Sequence, residues 1–243
     1  MIEVSGIAKR FGSHAALDDV SLSVENGMVY GLVGYNGAGK TTLLKIIAGV
    51  YKPDAGTVRI DGVPMHDDRL SHDSLFIVAD EPYFLPQATP ETMRSFYRGY
   101  YPCWSDDVYE RMLALFELDP TAKVAGFSKG MQRQLGILLG FATGVRTMLL
   151  DESFDGLDLG KRNLLKRLLK AYARERGASV ILSSHNLREL EDAADHLGMI
   201  KGCHLTFDGS VAEVHKQYPG SSLEEIFLSE GGNKVEDIDG VFA

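Results

Sequence analysis

Gly34-Tyr35-Asn36-Gly37-Ala38-Gly39-Lys40-Thr41 gathers three glycines, a lysine and a hydroxyl within eight residues. Glycines at that density let backbone N–H groups turn inward about an anion, and a helix starting just after them adds partial positive charge. Lys40 is a cation for the outer members of a phosphate chain, the Thr41 hydroxyl is a magnesium ligand by type, and Thr42 follows within reach. A glycine turn before any helix is the plainer alternative. The flanks argue against it, because the apolar run Met28–Val33 precedes the loop and Thr42–Ala48 has helical character. Strand, phosphate loop and helix in that order predict a bound nucleotide.

A second chemical group is Met148-Leu149-Leu150-Asp151-Glu152, an apolar strand that ends in two acids. Carboxylates delivered at the C-terminal end of a buried strand enter the crevice where open α/β sheets bind ligands. Alone, the pair also fits a solvated helix start. Joined to the phosphate loop, it predicts Asp151 at a magnesium ion and Glu152 as the group that polarises an attacking water.

The elements that must position these groups are legible in outline. Ile2–Ile7 and Asp18–Val24 read as antiparallel strands, with Asn26-Gly27 turning into the strand that feeds the loop. Phe11 lies between them beside Gly12, as either a stacking aromatic or an ordinary turn residue. Pro53–Gly56 reads as a turn, Thr57–Ile60 as a strand, and Leu75–Ala79 as a short buried strand. From Pro90 to about Ala125 the strand signals vanish, and Val108, Met112, Leu115 and Phe116 recur at helical spacing. Strands return at 148–150, 180–182 and 197–200, separated by helices over 160–176 and 186–194. A final strand over 204–208, short helices at 212–217 and 223–228 and a polar tail complete the pattern. Such alternation predicts an α/β fold with a mainly parallel sheet, an N-terminal antiparallel β portion and an inserted helical region.

Composition narrows the function. The chain has 243 residues, 44 % of them hydrophobic, enough for one sizeable core. A formal charge of -9 argues against a broad nucleic-acid surface, so no nucleic-acid partner is expected. Cys103 and Cys203 lack neighbours at metal-ligand spacing, and no zinc is expected. The start of the chain has no signal-peptide pattern, and the most apolar stretch, Leu135–Val145, is short for a membrane span. Lys161–Lys170 sets leucines on one face and cations on the other; such helices can bind anionic lipid or nucleic acid, and the plainer reading in so acidic a chain is a core stripe with a solvated basic face.

Across nearly the whole chain these features resemble the ATP-binding subunit of an ABC transporter. The phosphate loop resembles Walker A, and Asp151 and Glu152 resemble the end of Walker B with its catalytic glutamate. Phe127-Ser128-Lys129-Gly130-Met131-Gln132 resembles the signature motif, Gly156-Leu157-Asp158 the D-loop, and His185 the switch histidine. Phe11 matches the aromatic that stacks on adenine. The resemblance implies a P-loop NTPase core, read as 1–85 and 141–220, with a helical insert over 86–140 and a tail over 221–243. Its implied cofactors are ATP and Mg2+.

It also implies a head-to-tail dimer, identical or mixed, in which Ser128 to Gln132 of one subunit meet phosphate bound by the other. Ser128 and the N–H groups of Lys129 and Gly130 would form that second anion site. The remaining partner is a separate membrane-spanning permease, which places this subunit in the cytoplasm, peripheral at the inner face of the membrane. The signature variant is exporter-like. Ser153 stands where proline commonly follows the catalytic glutamate. At the Q-loop position, which contacts magnesium and relays closure, the register gives Asp80, with Gln87 as the alternative. Two other readings stay open at this point: an ABC-type ATPase acting on DNA or ribosomes, and a weakly hydrolysing regulatory subunit.

Overall fold

A computed structural model describes residues 1–65, 74–219, 222, 223, 225 and 226. Its centre is β3 (Val29–Val33), in which every residue is buried. Side chains alternate across a strand, so Val29 and Val33 pack into one core layer and Tyr30 and Leu32 into the other. Two more strands repeat the division. Met148 and Leu150 of β7 (Thr147–Leu150) and Val180 and Leu182 of β8 (Ser179–Ser184) join the first layer, while Leu149 and Ile181 join the second. Burial on both faces explains why the apolar segments of these strands, such as Met148–Leu150 and Val180–Leu182, show no polar alternation.

These strands belong to a six-stranded sheet completed by β6 (Leu75–Val78), β9 (His196–Lys201) and β10 (His204–Ser210). Its order is β10-β9-β3-β8-β7-β6. All neighbours are parallel except β10, which returns antiparallel along β9. A second sheet, of order β2-β1-β4-β5, is antiparallel and comprises β1 (Ile2–Phe11), β2 (His14–Val24), β4 (Ala55–Ile60) and β5 (Val63–Pro64). Between the two sheets lies α1 (Lys40–Ile47), whose Leu43, Leu44, Ile46 and Ile47 share the second layer with Ile2, Val20 and Val58.

The helical region follows β6. It contains α2 (Pro90–Arg98), α3 (Asp106–Phe116) and α4 (Lys129–Thr143). Local chemistry starts each helix: Thr89 caps α2 with Pro90 in its first turn, Ser105 caps α3 and Ser128 caps α4. Further along the chain lie α5 (Leu159–Arg176), α6 (Leu187–Ala193) and α7 (Val211–Gln217).

Several boundaries differ from the sequence reading. β1 and β2 run on past their expected ends to Phe11 and back from His14, because register shifts after Val4, Ile7 and Lys9 let the pair twist without separating. Phe11 therefore ends a strand, paired with His14. Ala55 and Gly56, expected in a turn, already belong to β4, and β5 had no signal beyond two apolar-compatible residues. Leu223, Glu225 and Ile226 are helical. The rest of the helix expected over 223–228, and most of the tail from 221, lies outside the described residues.

The basic helix α5 has its plain role. Leu165 and Leu169 are buried, while Lys161, Arg162 and Lys166 pair with Glu117, Glu189 and Asp192. Among the described residues no helix is long and apolar enough to cross a membrane.

Candidate nucleotide site

The turn from β3 into α1 is shaped by glycine. Gly39 has φ of 112° and a Cβ there would lie 2.4 Å from the carbonyl oxygen of Ala16, so any other residue would strain the loop and collide with β2. Gly37 is also left-handed, at φ 81°. The loop leaves a cavity of about 430 Å³ lined by Asn36 to Thr42, by Phe11, His14 and Ala16 of the antiparallel sheet, and by Asp80, Glu152, Asp155 and His185. Three separate strand ends thus deliver side chains to one glycine-floored opening.

Lys40 is the cation at its base. Its side chain is 5 % exposed, and Nζ donates to the Gly34 carbonyl at 2.7 Å and pairs with Glu152 Oε1 at 3.0 Å. The other carboxylate oxygen of Glu152 accepts the His185 N–H at 3.2 Å and lies 2.9 Å from His185 Nδ1. Burial pushes the Glu152 carboxyl up, but Lys40 and His185 outweigh it and hold the group below the usual glutamate range. Glu152 itself sits at φ 45°, a left-handed conformation immediately after β7. Two hydrogen bonds brace that turn: the Glu152 N–H donates to Ser183 Oγ at 3.1 Å, and the Ser183 hydroxyl donates to Asp151 Oδ1 at 2.7 Å. Backbone strain at a catalytic-type acid, held by neighbouring strands, is a common feature of functional turns.

The remaining expected residues divide into two sets. Thr41, Thr42 and Asp80 line the cavity, whereas Gln87 is exposed outside it and bonds Lys123 through its carbonyl. Asp151 is 2 % exposed and engaged by Ser183. Phe11 is half-exposed at the rim, edge-on to Tyr51 at 5.6 Å, with the Lys9 ammonium over its ring. Gly34 and Tyr35 contribute carbonyls to Lys40.

None of Ser128, Lys129, Gly130, Met131 and Gln132 lines this cavity. Ser128 caps its own helix, accepting from the Met131 N–H at 3.2 Å, and Ser128 and Lys129 are exposed. Asp158 likewise caps α5, accepting from the Lys161 N–H at 2.9 Å.

Two residues escaped the sequence reading. Asp155 joins Glu152 and His185 in a cluster whose ligating atoms all lie within 4.8 Å of one another, a hard oxygen and nitrogen set. Its only signal was its place three residues after Glu152, where a single turn returns the chain to the same opening. Arg133, in the second turn of α4, bonds both Asp80 and the Asp155 carbonyl. In sequence it is one more cation on a helix.

Known proteins resemble this chain in sequence and in fold. Residues 17–155 match the family model described as ABC transporter. The chain is 29 % identical over 219 residues to the ABC transporter ATP-binding protein YtrB of Bacillus subtilis, covering 90 % of this chain and 75 % of that one. It is 28 % identical over 250 residues to the Nod factor export ATP-binding protein I of Rhizobium etli, covering 100 % and 78 %. A solved structure of the ATP-binding subunit of an ABC transporter superposes with a TM-score of 0.84 at 26 % identity, covering 95 % of this chain and 99 % of that one. By family model and by relatives matched over most of their length, the chain belongs to the ABC transporter family as an ATP-binding subunit.

Proposed function

We propose that the cavity above Lys40 takes ATP with a magnesium ion and that its hydrolysis drives a separate permease. The observation that carries the assignment is the meeting of Lys40, Glu152 and His185 over a left-handed glycine loop. The residues fit the absent groups. Loop N–H groups and Lys40 are donors for a phosphate chain, and Thr41 with the nearby acids Asp151, Asp80 and Asp155 offers oxygen ligands of the kind magnesium takes. Bound magnesium would neutralise phosphate charge and polarise the reacting group.

The side chains have separable tasks. Glu152, held anionic, accepts a proton from the attacking water, and His185 fixes its orientation through the bond to Nδ1. Lys40 pairs with one oxygen of Glu152 and so sets the base beside the cation that meets phosphate. Phe11 stacks on the adenine at the rim.

The exposed start of α4 points to a dimer. Ser128 and the N–H groups beside it form an anion-binding helix start with no phosphate loop of the same chain across it, which fits two chains sharing two nucleotides. In this reading residues 1–243 form one ATPase unit, with the helices of 86–140 as its insert. The permease contact is the face around Asp80 and α2. Tyr83 is 78 % exposed after Asp80, and Phe96 and Tyr100, with ring centroids 4.9 Å apart, are exposed on and just after α2; exposed apolar side chains of this kind mark interaction sites when they gather. That contact places the subunit at the inner face of the membrane. The exporter direction rests on the signature variant and on likeness to a protein named for Nod factor export.

ATP turnover of the wild type against Glu152→Gln tests the site. A robust rate that falls about a thousandfold in the variant is expected, and equal rates would overturn the assignment. Detergent pull-down should bring a polytopic membrane protein. Recovery of ribosomes or DNA in its place would overturn the transport reading.

A further inference from the structure

Asp80 brings a negative charge to the rim of a cavity whose proposed ligand is itself strongly anionic. Asp80 is also shared with a neighbouring cavity lined by Glu81, Pro82, Lys129, Gln132 and Arg133. The Arg133 side chain, 8 % exposed, reaches from α4 to meet it. Its NH2 ion-pairs with Asp80 Oδ1 and donates to the Asp80 carbonyl oxygen at 2.6 Å, while NH1 donates to the carbonyl of Asp155. Asp80 remains half-exposed at 53 %. A secluded guanidinium is therefore committed to an acid that stays open to the cavity.

Two physical points follow. A buried cation needs a counter-charge, so Arg133 without Asp80 is unfavourable, whereas Asp80, half-exposed, keeps its charge at the rim without Arg133. Only a planar fork can meet a carboxylate, its own carbonyl and a second loop's carbonyl together, so lysine does not reproduce the contact. The loops after β6 and β7, which bound the phosphate cavity on one side, are thereby held at one separation by a residue of the signature helix.

We propose that Arg133 is a positioning residue for nucleotide. It neutralises Asp80, so that an acidic side chain at the rim does not repel the triphosphate, and it fixes Asp80 and Asp155 relative to each other. This rests on the reading of the cavity as the ATP site. Lys40, Glu152, Asp155 and His185 face the same space, and the test must separate Arg133 from them.

The experiment is equilibrium binding of a fluorescent ATP analogue to the full chain in EDTA, which removes metal effects, at low and high salt. Arg133→Met should weaken binding about fivefold at low salt, the size of one unscreened charge several ångströms away, and the deficit should shrink at high salt. Asp80→Asn should tighten binding about threefold. The double variant Asp80→Asn/Arg133→Met should return to within about twofold of wild type. A merely structural role for Arg133 would leave the loss unrescued, and that result overturns the proposal, as does an Arg133→Met affinity within twofold of wild type. Should Arg133→Met fail to fold, Asp80→Asn decides alone: unchanged or weaker binding overturns the proposal. Lys40→Ala is the control for the site itself. If it binds like the wild type, the location of the nucleotide is wrong, a failure distinct from that of Arg133.

Discussion

The phosphate loop and the start of α4 are both helix N-termini preceded by small residues, yet the structure treats them oppositely. At the loop, Lys40 is buried, tied to Gly34 and Glu152, and enclosed by groups from β1, β2 and the loops after β6, β7 and β8. At α4, Ser128 and Lys129 are exposed, and the only hydrogen bond to the Ser128 hydroxyl comes from its own helix among the described residues. One end is an enclosed cradle and the other an exposed helix start. The same backbone physics supports both. What differs is whether the chain itself supplies a wall opposite.

That contrast can be broken most sharply by Glu152→Gln, which should lower turnover about a thousandfold while retaining bound nucleotide, read by steady-state hydrolysis and by equilibrium binding. Lys40→Ala comes next: affinity should fall about a hundredfold, because a buried charge-assisted contact to phosphate is lost. Ser128→Ala should do the reverse, leaving monomer affinity within about twofold but lowering turnover, and it should cost ~1 kcal/mol of unfolding free energy through the lost cap. If Ser128→Ala weakened monomer binding as Lys40→Ala does, the two ends would be one site and the distinction would fail.

Stability offers smaller effects. A Cβ on Gly130 would lie 2.3 Å from the Gly156 carbonyl oxygen, a backbone atom, so Gly130→Ala must push α4 away from the loop before α5. Chemical denaturation should show a loss of about 2 kcal/mol. The pH dependence of Glu152 has a definite sign. Its folded value is depressed below the ordinary 4.5, so its contribution is complete above that value and disappears as pH falls through the lower, folded one. The stability gap between wild type and Glu152→Gln, measured without nucleotide, should be constant at neutral pH and close on acidification. A gap that widened in acid would contradict the assigned partners.

Much of the site was legible because its residues are grouped in sequence and each group has a local chemical reason. Gly34 to Thr41 announces itself through glycine spacing, and Asp151-Glu152 through an apolar strand that ends in acids. Arg133 and Asp155 were not legible. Each acts across a fold contact, and neither stands out among the chain's cations and acids by type or spacing. Asp80 was placed by register, but nothing in the sequence showed that its charge is matched from α4. The same holds for the fold: buried strands were read correctly from continuous apolar runs, while β1 and β2 were cut short because bulges hide a strand from a strict period of two.

By itself, then, the sequence determined the local chemistry: a glycine-rich loop between strand and helix, and an apolar strand that ends in an acid pair. These depend on neighbours a few residues apart, for which backbone geometry and side-chain type suffice. Only the tertiary structure decided which groups face one another. It closed Lys40 onto Glu152, set His185 behind that acid, reached Arg133 across to Asp80, and left Ser128 outside the cavity. Those pairings depend on how strands order themselves in a sheet and how α4 packs beside it, which no short stretch of residues encodes.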